Sequence, residues 1–254
     1  MNDFKKGQII SIAKGGIGNQ LFIFGAGKSL AENLGYEHLI ESEIGFHNDS
    51  YNRSYLLKHL NISSKILEKN SKSFTSLRSA KHKLLRTYNK FLPLNFRSYI
   101  SESHGITAEN FNKLDSCRKK IYLNGYWCSE DYFFKHDKII AKELKIPNPN
   151  DSLNLSILEK IQRSPNPTFI HVRRENYHPK LGIEYYAHAI NRAQSCIANS
   201  SFFLFSDDFE WAKTKLKDIV PFTAIEHNAR DELADLWLMS HCKHAIIANS
   251  TFSW

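Results

Sequence analysis

Two adjacent arginines follow an apolar run in the second half of the sequence. In the stretch FIHVRRENYHP, residues 169–179, Arg173 and Arg174 come directly after a segment typical of a buried strand, which also contains His171. Arginine is seldom fully buried without a partner, because its guanidinium group stays charged and carries five N–H donors. A strand that ends in two guanidinium groups therefore predicts a nearby anion.

Polar groups also follow two further apolar runs. The sequence Ser-Asp-Asp at 206–208 comes after FFLF, and Asn-Ser-Thr at 249–251 comes after HAIIA. At the first position, Ser206 or Asp207 would alternatively cap the next helix. At the second, hydroxyl groups and the free N–H groups of a helix start would form an anion cradle. The three features together predict a ligand with phosphate groups and a hydrogen-bonding base or sugar, such as a nucleotide-sugar.

A glycine-rich loop lies near the N-terminus. The sequence GGIGNQ, residues 15–20, separates a predicted strand at 8–14 from a predicted helix that ends at Gly35. Three glycines in such a turn allow another molecule to approach the backbone closely, although a connector without a ligand is the alternative. Neither nucleotide-binding motif is complete: Leu21 stands at the third glycine of G-x-G-x-x-G, and Phe22 at the first glycine of a P-loop.

The elements that must position these groups alternate between strands and helices. The segments TFIHV, SFFLFS and HAIIA are strand candidates, and helices are predicted around 184–198, 208–217 and 231–241. This alternation predicts an α/β protein whose parallel sheets are covered on both faces. The Pro- and Asn-rich segment 142–156 is the candidate hinge, so two domains are expected, at 1–150 and 151–254.

Composition excludes several classes of protein. The chain has 254 residues, of which 42% are hydrophobic, and no run approaches the roughly 20 apolar residues of a membrane helix. The N-terminus lacks the apolar core of a signal peptide, so a cytoplasmic location is expected. The four cysteines have neither zinc-site nor disulfide-framework spacing, and no metal site is predicted.

Positive charge is concentrated in one segment. The net charge is +8, and residues 65–97 hold nine Lys or Arg and a single acid, Glu68. This pattern is typical of a solvated helical face, but nucleic acid or an anionic membrane surface would also bind it. Because the basic segment and the strand-end polar groups lie in different halves of the chain, a nucleic-acid-binding protein is the alternative function rather than the leading one.

The same residues carry a family resemblance. The chain resembles galactoside α-1,2-fucosyltransferases of glycosyltransferase family 11, with matching strings in the family's order from near the first residue to the last. These strings are GGIGNQLFIFGAGKSLA, GYWCSEDYF, HVRRENY, GIEYYAHAI, FSDDFEWAK and DLWLMSHCKHAIIANSTFSW. The resemblance implies inverting, metal-independent transfer of L-fucose from GDP-β-L-fucose, as co-substrate and without a cofactor, to the 2-hydroxyl of a galactoside in a surface glycan. It also implies two Rossmann-like domains in a GT-B-like arrangement.

The resemblance further implies residue roles. Arg173 and Arg174 would be catalytic by stabilising the leaving diphosphate, and His171 and Asp235 would read the guanine. The N-terminal domain would take the acceptor and the C-terminal domain GDP-fucose. The missing signal peptide and the basic segment, rather than the resemblance, predict a cytoplasmic protein that lies peripherally on the inner membrane face. The expected donor-binding residues are His171, Arg173, Arg174, Asn176, Asp207, Asp208, Asp235, Asn249, Ser250, Thr251, Ser253, Gly15, Gly16, Gly18, Asn19 and Gln20.

Two departures from the family pattern affect these expectations. Asn176 stands where the family usually has an aspartate after R-R-x, so a charge that would help to hold the arginines is missing. The sequence also stops at Trp254, where the family continues, which predicts an incomplete C-terminal domain and a frayed cradle at 249–253. A catalytically weakened GDP-sugar-binding protein is therefore a further alternative.

The general base for the acceptor hydroxyl is not identified by the sequence. Glu43, Glu130 and Asp131 are candidates because they lie in segments of the N-terminal domain that could face a cleft. A carboxylate at each of these positions is more typical of a solvated surface. A highly dissociative transition state would need only a weak base.

Overall fold

A computed structural model describes residues 7–67, 86–175, 178–228 and 231–254 of the chain. The chain divides into two compact units between Lys145 and Ile146, a few residues before the boundary expected from the sequence. Within the described ranges, no helix combines the length and the apolar character that crossing a bilayer would require.

The first unit is built on a five-stranded parallel sheet with the order β3-β2-β1-β5-β4. Its strands are β1 (Gln8–Ile12), β2 (Glu37–Glu41), β3 (Lys65–Ile66), β4 (Tyr99–Ser101) and β5 (Lys120–Asn124). The α-helices of this unit that lie wholly within the described residues include α1 (Ile17–Leu34), α2 (Ala108–Asn112) and α3 (Asp137–Glu143). Single 3₁₀ turns occur at Ile44–Phe46, Leu57–His59, Leu94–Phe96, Glu102–His104, Glu130–Tyr132 and Phe134–His136.

Strand β1 lies at the centre of this sheet because both of its faces are apolar. Ile9 packs into the core cluster that contains α1, while Ile10 and Ile12 pack into the cluster on the other face. Helix α1 ends as the sequence predicts: Gly35 adopts a left-handed φ of 65°, and its N–H group is directed to the last carbonyl groups of the helix. Because β1 ends at Ile12, the glycine-rich loop that follows it lies at the carboxyl end of the central strand.

The second unit contains a four-stranded parallel sheet with the order β8-β7-β6-β9. Its strands are β6 (Asn166–Val172), β7 (Ser200–Ser206), β8 (Phe222–Ala224) and β9 (His244–Ile246). Its helices are α4 (Ser152–Arg163), α5 (Ile183–Cys196), α6 (Phe209–Leu216) and α7 (Glu232–Ser240). Two apolar clusters cover the two faces of the sheet, so the predicted α/β architecture with covered parallel sheets is confirmed.

The register of β6 and β7 determines which polar groups meet. Val172 pairs with Ser206, so the residues that follow each strand, Arg173 and Asp207, leave the sheet side by side. Strand β6 also pairs with β9, which the chain reaches only after β7 and β8. Strand order reverses at β6, and in open α/β sheets ligands bind outside the carboxyl ends of the strands at such a point.

Two local predictions concern the hinge between the units and the cap of α6. The boundary between the two units, after Lys145, lies within the predicted hinge at 142–156. Helix α4 already begins at Ser152 in this segment, where the side chain of Asp151 accepts a hydrogen bond from the N–H group of Asn154. Helix α6 is capped by Asp208 and not by Ser206 or Asp207.

Candidate active site

A cavity of about 140 Å³ opens at the carboxyl ends of β6 and β7 in the second unit. Groups from both strand ends, from the loop after β8 and from α7 meet there, together with the ring that follows β9. The lining residues are His171, Arg173, Ser206, Asp207, Phe209, Ile225, Asn228, Asp231, Glu232, Asp235 and Phe252. His171 and Arg173 line this cavity and Arg174 is not among the lining residues, as the alternation of side chains along an extended segment predicts.

Arg173 is held at the cavity by Asp207. Its Nη1 atom lies 3.1 Å from Asp207 Oδ2, and about a third of the side chain, 32%, remains exposed. Asp207 in turn is fixed by the backbone, because its carboxylate accepts hydrogen bonds from the N–H groups of Arg174 at 2.8 Å and Glu175 at 3.0 Å. Asp207 therefore sets the direction of Arg173 through fixed partners, while the guanidinium group keeps N–H donors for a ligand.

Arg174 packs into the protein instead. Its guanidinium group lies 3.8 Å from the ring centroid of Trp211, and its Nε atom is 3.5 Å from Asp208 Oδ2. Asp208 has a second task, since it accepts the hydrogen bond from Trp211 N that caps α6. The side chain of Arg174 is only 17% exposed. In this arrangement Arg174 and Asp208 support the strand ends, and their expected contact with a donor stays a prediction.

His171 presents a neutral imidazole at the floor of the cavity. The ring is buried, and its Nδ1 atom has no hydrogen-bond partner within the described ranges. Burial is the main cause that lowers the pKa of His171 to about 3, and the positive charge of Arg173 is the second. Its ring also lies against Phe252, with 5.1 Å between the centroids. A buried ring nitrogen without a partner is costly unless a ligand satisfies it, which makes His171 a candidate for ligand contact.

Asp235 provides a carboxylate at another part of the cavity wall. Asn228 Nδ2 donates a hydrogen bond of 3.1 Å to its Oδ1 atom. Burial raises the pKa of Asp235 to about 7, the hydrogen bond from Asn228 opposes this, and the negative charges of Asp231 and Glu232 add to the rise. A carboxyl group with so perturbed a pKa in a cavity is typical of a functional site.

Asn228 is a site residue that the sequence analysis missed. Its amide faces that of Asn154 at the start of α4, with hydrogen bonds of 2.8 and 2.9 Å in the two directions, which anchors the loop after β8. Phe252, Asp231 and Glu232 were also not assigned to the site. The position of Asn228 in the sequence could have indicated its role, because it follows β8, the third parallel strand to end at this edge. Strand β8 is only three residues long, however, and its sequence pattern is weak.

Residues 249–253 form a compact turn after β9. Ser250 accepts a hydrogen bond from Phe252 N at its hydroxyl group, and its carbonyl accepts one from Ser253 N at 3.2 Å. Asn249 donates to the carbonyl of Pro179 at 3.0 Å, which ties the turn to the chain beyond β6. Ser250 and Ser253 are buried, and Thr251 is partly buried. None of the four polar residues lines the cavity, to which the turn contributes Phe252, so their expected role in donor binding stays a prediction.

The predicted loop residues 15–20 belong to the first unit. Gln20 is buried and its amide is used by the backbone: it donates to the carbonyls of Gly15 and Ser54 at 2.9 Å each and accepts from Leu56 N at 2.8 Å. Gly16 caps α1, whose first turn buries Gly18. These contacts give Gln20 a structural task, and contact of Gly15, Gly16, Gly18, Asn19 and Gln20 with the donor stays a prediction.

The remaining candidates are placed as follows. Asn176 lies outside the described residues. Glu130 and Asp131 are exposed, and Asp131 accepts a hydrogen bond from Ser129 Oγ at 2.9 Å, whereas Glu43 is partly buried beside the carboxylate of Glu41. Within the described ranges, no three His, Cys, Asp or Glu side chains are grouped so as to hold a metal ion.

Comparison with known proteins places the chain in a family. The profile described as Glycosyl transferase family 11 matches residues 9–254. An alpha-1,2-colitosyltransferase from Escherichia coli is 30% identical, over 97% of this chain and 85% of that protein. The O-antigen biosynthesis glycosyltransferase WbnK, also from Escherichia coli, is 29% identical, over 96% of this chain and 87% of that protein.

Solved structures share the fold. The crystal structure of the fucosyltransferase NodZ from Bradyrhizobium superposes with a TM-score of 0.59 at 16% identity, covering 98% of this chain and 91% of that one. NodZ, an alpha-1,6-fucosyltransferase, has also been soaked with GDP-fucose, again with a TM-score of 0.59 and 15% identity over 97% of this chain and 90% of that chain. These likenesses show a GT-B-like fold. Because the family profile spans nearly the whole described chain, the protein belongs to glycosyl transferase family 11 and is a fucosyltransferase-like glycosyltransferase.

Proposed function

We propose that the protein transfers L-fucose from GDP-β-L-fucose to the 2-hydroxyl of a β-galactoside in a surface glycan, with inversion and without a metal ion or cofactor. The observation that carries this proposal is the distribution of charge around the cavity. The cation of Arg173 lies at the end of β6, and the carboxylates of Asp231, Glu232 and Asp235 line the wall formed by α7 and the loop before it.

This distribution suits GDP. The diphosphate needs cations and N–H donors, which Arg173 supplies. The Watson–Crick edge of guanine carries two adjacent N–H donors, which a carboxylate accepts well, and Asp235 presents such a carboxylate beside the Asn228 amide. Uracil and adenine do not offer that pair of donors. The neutral ring of His171 supplies one more group that either donates or accepts.

The chain's own residues account for the chemistry as follows. Breaking the bond between fucose C1 and the phosphate oxygen leaves negative charge on GDP while positive charge develops on the sugar. A guanidinium group already held by Asp207 stabilises that charge without reorganising, so its interaction is stronger in the transition state than in the ground state. Removing such a donor typically costs on the order of 3 kcal/mol of transition-state stabilisation.

GDP-colitose is a second candidate donor. One of the curated relatives is an alpha-1,2-colitosyltransferase, and colitose is L-fucose without its 3-hydroxyl group. The two donors share the GDP moiety, so the cavity described above does not distinguish them. A site that hydrogen-bonds the 3-hydroxyl would reject colitose strongly, because polar groups of the site would be left without a partner.

The proposal is tested by incubating the protein with GDP-fucose or GDP-colitose and a panel of β-galactosides in EDTA, followed by linkage analysis of the product. An α-1,2-linked fucosyl product formed at an undiminished rate in EDTA is the expected result. If sugar is transferred from GDP-colitose and not from GDP-fucose, the proposed donor is wrong and GDP-colitose takes its place. A product linked elsewhere than the galactose 2-hydroxyl would refute the acceptor assignment.

We also propose that the protein associates peripherally with an anionic membrane surface, where glycan acceptors are assembled. Part of the basic segment, residues 68–85, lies outside the described residues. The segment's remaining part exposes Tyr88, Phe91 and Phe96 by 61%, 73% and 52%, and Lys90 lies 4.8 Å from the Phe91 ring centroid. Aromatic rings next to cations are typical of surfaces that bind at the membrane interface.

A further inference from the structure

The carboxyl edge of the first sheet contains a second point at which strand order reverses. From β1 the chain passes to β2 and β3 on one side, and then to β4 and β5 on the other, so β1 and β5 become neighbours only through a crossover. The loops after these two strands, residues 13–16 and 125–128, start at the topological switch point of the sheet. In open α/β sheets, ligands bind in the crevice at this point.

Three side chains from the two strand ends are joined there. Lys14, after β1, donates a hydrogen bond of 2.9 Å from Nζ to Oδ1 of Asn124, the last residue of β5. The same ammonium group lies 4.6 Å from the ring centroid of Tyr126. Among the residues that the structure describes, Asn124 is the one hydrogen-bond acceptor of Lys14, so two of its three N–H donors are left for a ligand.

The loop that carries Tyr126 is held in an unusual conformation. The Glu102 carboxylate accepts hydrogen bonds from the N–H groups of Tyr126 at 2.6 Å and Trp127 at 3.1 Å. Trp127 is fully buried and has a φ of +55°, which is rare for a bulky side chain. Non-glycine residues in this region persist only where their surroundings enforce them, and they are concentrated at functional sites.

The loop after β1 approaches the Tyr126 ring closely. Gly15 has a φ of +75°, and a Cβ atom placed there would lie 2.6 Å from Asn19 Nδ2 and 3.2 Å from Tyr126 Cε1. A side chain at this position would therefore clash with the Asn19 amide and lie in tight contact with the Tyr126 ring. Tyr126 itself remains 39% exposed, although its backbone and one ring face are held by neighbours. Exposure of a positioned aromatic ring beside a cation with unused donors describes a binding surface for a polar ligand with an apolar face.

We propose that Lys14, Asn124 and Tyr126 form the subsite that binds the acceptor sugar, as a deepening of the proposed function on which it rests. A pyranose has a face of C–H groups, which packs on an aromatic ring, and hydroxyl oxygens, which accept hydrogen bonds from an ammonium group. In this subsite Tyr126 supplies the ring and Lys14 the donors. Asn124 is a positioning residue that holds Lys14, and Glu102 positions Tyr126.

The test compares variants in two measurements that do not depend on each other. Binding of lactose, a simple β-galactoside, is titrated directly by ligand-observed NMR in the presence of GDP, and the KM for lactose is measured with GDP-fucose. Tyr126→Ala and Lys14→Met should each weaken lactose binding and raise its KM by roughly tenfold or more. The affinity for GDP should change less than about twofold, because these side chains act on the acceptor alone.

A double-mutant cycle tests the positioning role of Asn124. If Asn124 acts through Lys14, Asn124→Ala should weaken lactose binding less than Lys14→Met does, and should add little to it in the double variant. The matched control is Lys113→Met, which removes the ammonium group of a surface lysine that pairs with Glu109 on α2 and is 70% exposed. This control should leave lactose binding unchanged.

The outcomes separate the subsite from the activity. Lactose binding that depends on Lys14 and Tyr126, without transfer of fucose, would support the subsite and overturn the proposed function. Transfer with an unchanged KM for lactose in folded Tyr126→Ala and Lys14→Met proteins would overturn the subsite and leave the function standing. Loss of GDP affinity in these variants would likewise contradict the acceptor assignment, and absence of both binding and transfer in the native protein would overturn both proposals.

Discussion

At the scale of single residues, Asp207 and Asp235 give the cavity of the second unit two carboxylates with different partners. Both are carboxylates at the carboxyl edge of one sheet. Asp207 accepts two backbone N–H groups and pairs with Arg173, so its charge is compensated. Burial raises the pKa of Asp235 to about 7, the hydrogen bond from the Asn228 amide opposes this rise, and the charges of Asp231 and Glu232 add to it. One carboxylate positions a cation, whereas the other is left to accept donors from a ligand.

The first prediction concerns Arg173. Arg173→Ala should weaken GDP binding by on the order of 100-fold, about 3 kcal/mol, because the main cation of the cavity is lost. The GDP affinity of Arg173→Lys should lie between those of the native protein and Arg173→Ala, since an ammonium group keeps the charge but does not reproduce two parallel N–H donors. Isothermal titration calorimetry with GDP measures both. Arg163→Ala is the matched control, because Arg163 pairs with Glu159 on the surface of the same unit and is 82% exposed; equal losses in the control and in Arg173→Ala would contradict the assignment.

The second prediction concerns the ionisation of Asp235. GDP should bind more tightly as the pH rises from 6 to 8, because the carboxylate becomes the ionised acceptor as the pH passes about 7. Asp235→Asn should bind GDP more weakly at pH 8 and lose most of this pH dependence. IDP, which lacks the 2-amino donor of guanine, should bind the native protein less tightly than GDP. The GDP phosphate also ionises in this range, and the pH titration of Asp235→Asn is the control for that contribution. Identical pH profiles in the two proteins would exclude Asp235 as the acceptor.

The third prediction is the effect of Asp235 on stability. Its pKa is raised from 3.8 to about 7 on folding, so the folded state binds the extra proton between these values and stability should fall as the pH rises through that window. Above about pH 7 the ionised carboxyl group opposes folding. Asp235→Asn should therefore flatten the dependence and be more stable at pH 8, by on the order of 2 kcal/mol. Urea unfolding at several pH values measures this, and a variant less stable than the native protein at pH 8 would contradict the cause given.

At the scale of elements, loops after parallel strands are fixed by side chains that bind backbone groups. Asp207 does this for the loop after β6, Glu102 for the loop after β5, and Gln20 for the segments at 15 and 54–56. Such side chains replace the ladder hydrogen bonds that end with the strand. They hold the loop residues in place before a ligand binds, so less conformational entropy of the loops is lost on binding.

The fourth prediction follows for Gln20. Gln20→Ala removes three hydrogen bonds and leaves the buried carbonyl of Gly15 and other backbone groups with fewer partners, so the free energy of unfolding should fall by about 2 kcal/mol or more. Urea denaturation measures the loss. Gln8→Ala is the control, because the Gln8 amide makes an exposed hydrogen bond of 3.4 Å to Glu37. Unchanged stability of Gln20→Ala would show that the three bonds contribute little, and would favour a direct role in ligand binding.

At the scale of the whole molecule, the two units carry different chemistry. The second unit contains the cavity with the guanidinium group and the carboxylates. The first unit brings Lys14, Asn124 and Tyr126 together at the carboxyl ends of β1 and β5, where we propose the acceptor subsite. Each site lies where strand order reverses in its own sheet. The segment 86–97, which exposes Tyr88, Phe91 and Phe96, is joined to the start of β4, because the Asn89 side chain accepts hydrogen bonds from Ser98 N at 2.8 Å and Tyr99 N at 3.1 Å.

The fifth prediction concerns the membrane. The protein should sediment with vesicles that contain phosphatidylglycerol and not with pure phosphatidylcholine vesicles, and binding should weaken as salt is added, because the net charge is +8. Phe91→Ala and Lys90→Ala should each reduce the bound fraction. Tyr51→Ala, which removes another exposed ring beneath an arginine, is the control. Salt-sensitive binding of RNA in place of vesicles would favour the nucleic-acid alternative.

The sequence by itself determined the local elements and the polar side chains that follow the strands of the second unit. Apolar runs at β1, β6 and β7, the cap at Gly35 and the polar groups after strands were readable, because each depends on neighbours in the chain. The family match then confirmed the resemblance read from the motifs. Strand order was not readable, since pairing between distant segments depends on the summed packing of both sheet faces.

Tertiary structure alone decided which of those groups meet. It turned Arg174 onto Trp211, left Arg173 at the cavity and brought Asn228 to Asp235. It also joined Lys14 to Asn124 across 110 positions of sequence. The physical reason is that a hydrogen bond or a pKa depends on burial and on atoms a few ångströms away, and parallel strands bring their carboxyl ends together through crossovers that leave no local signal in the sequence.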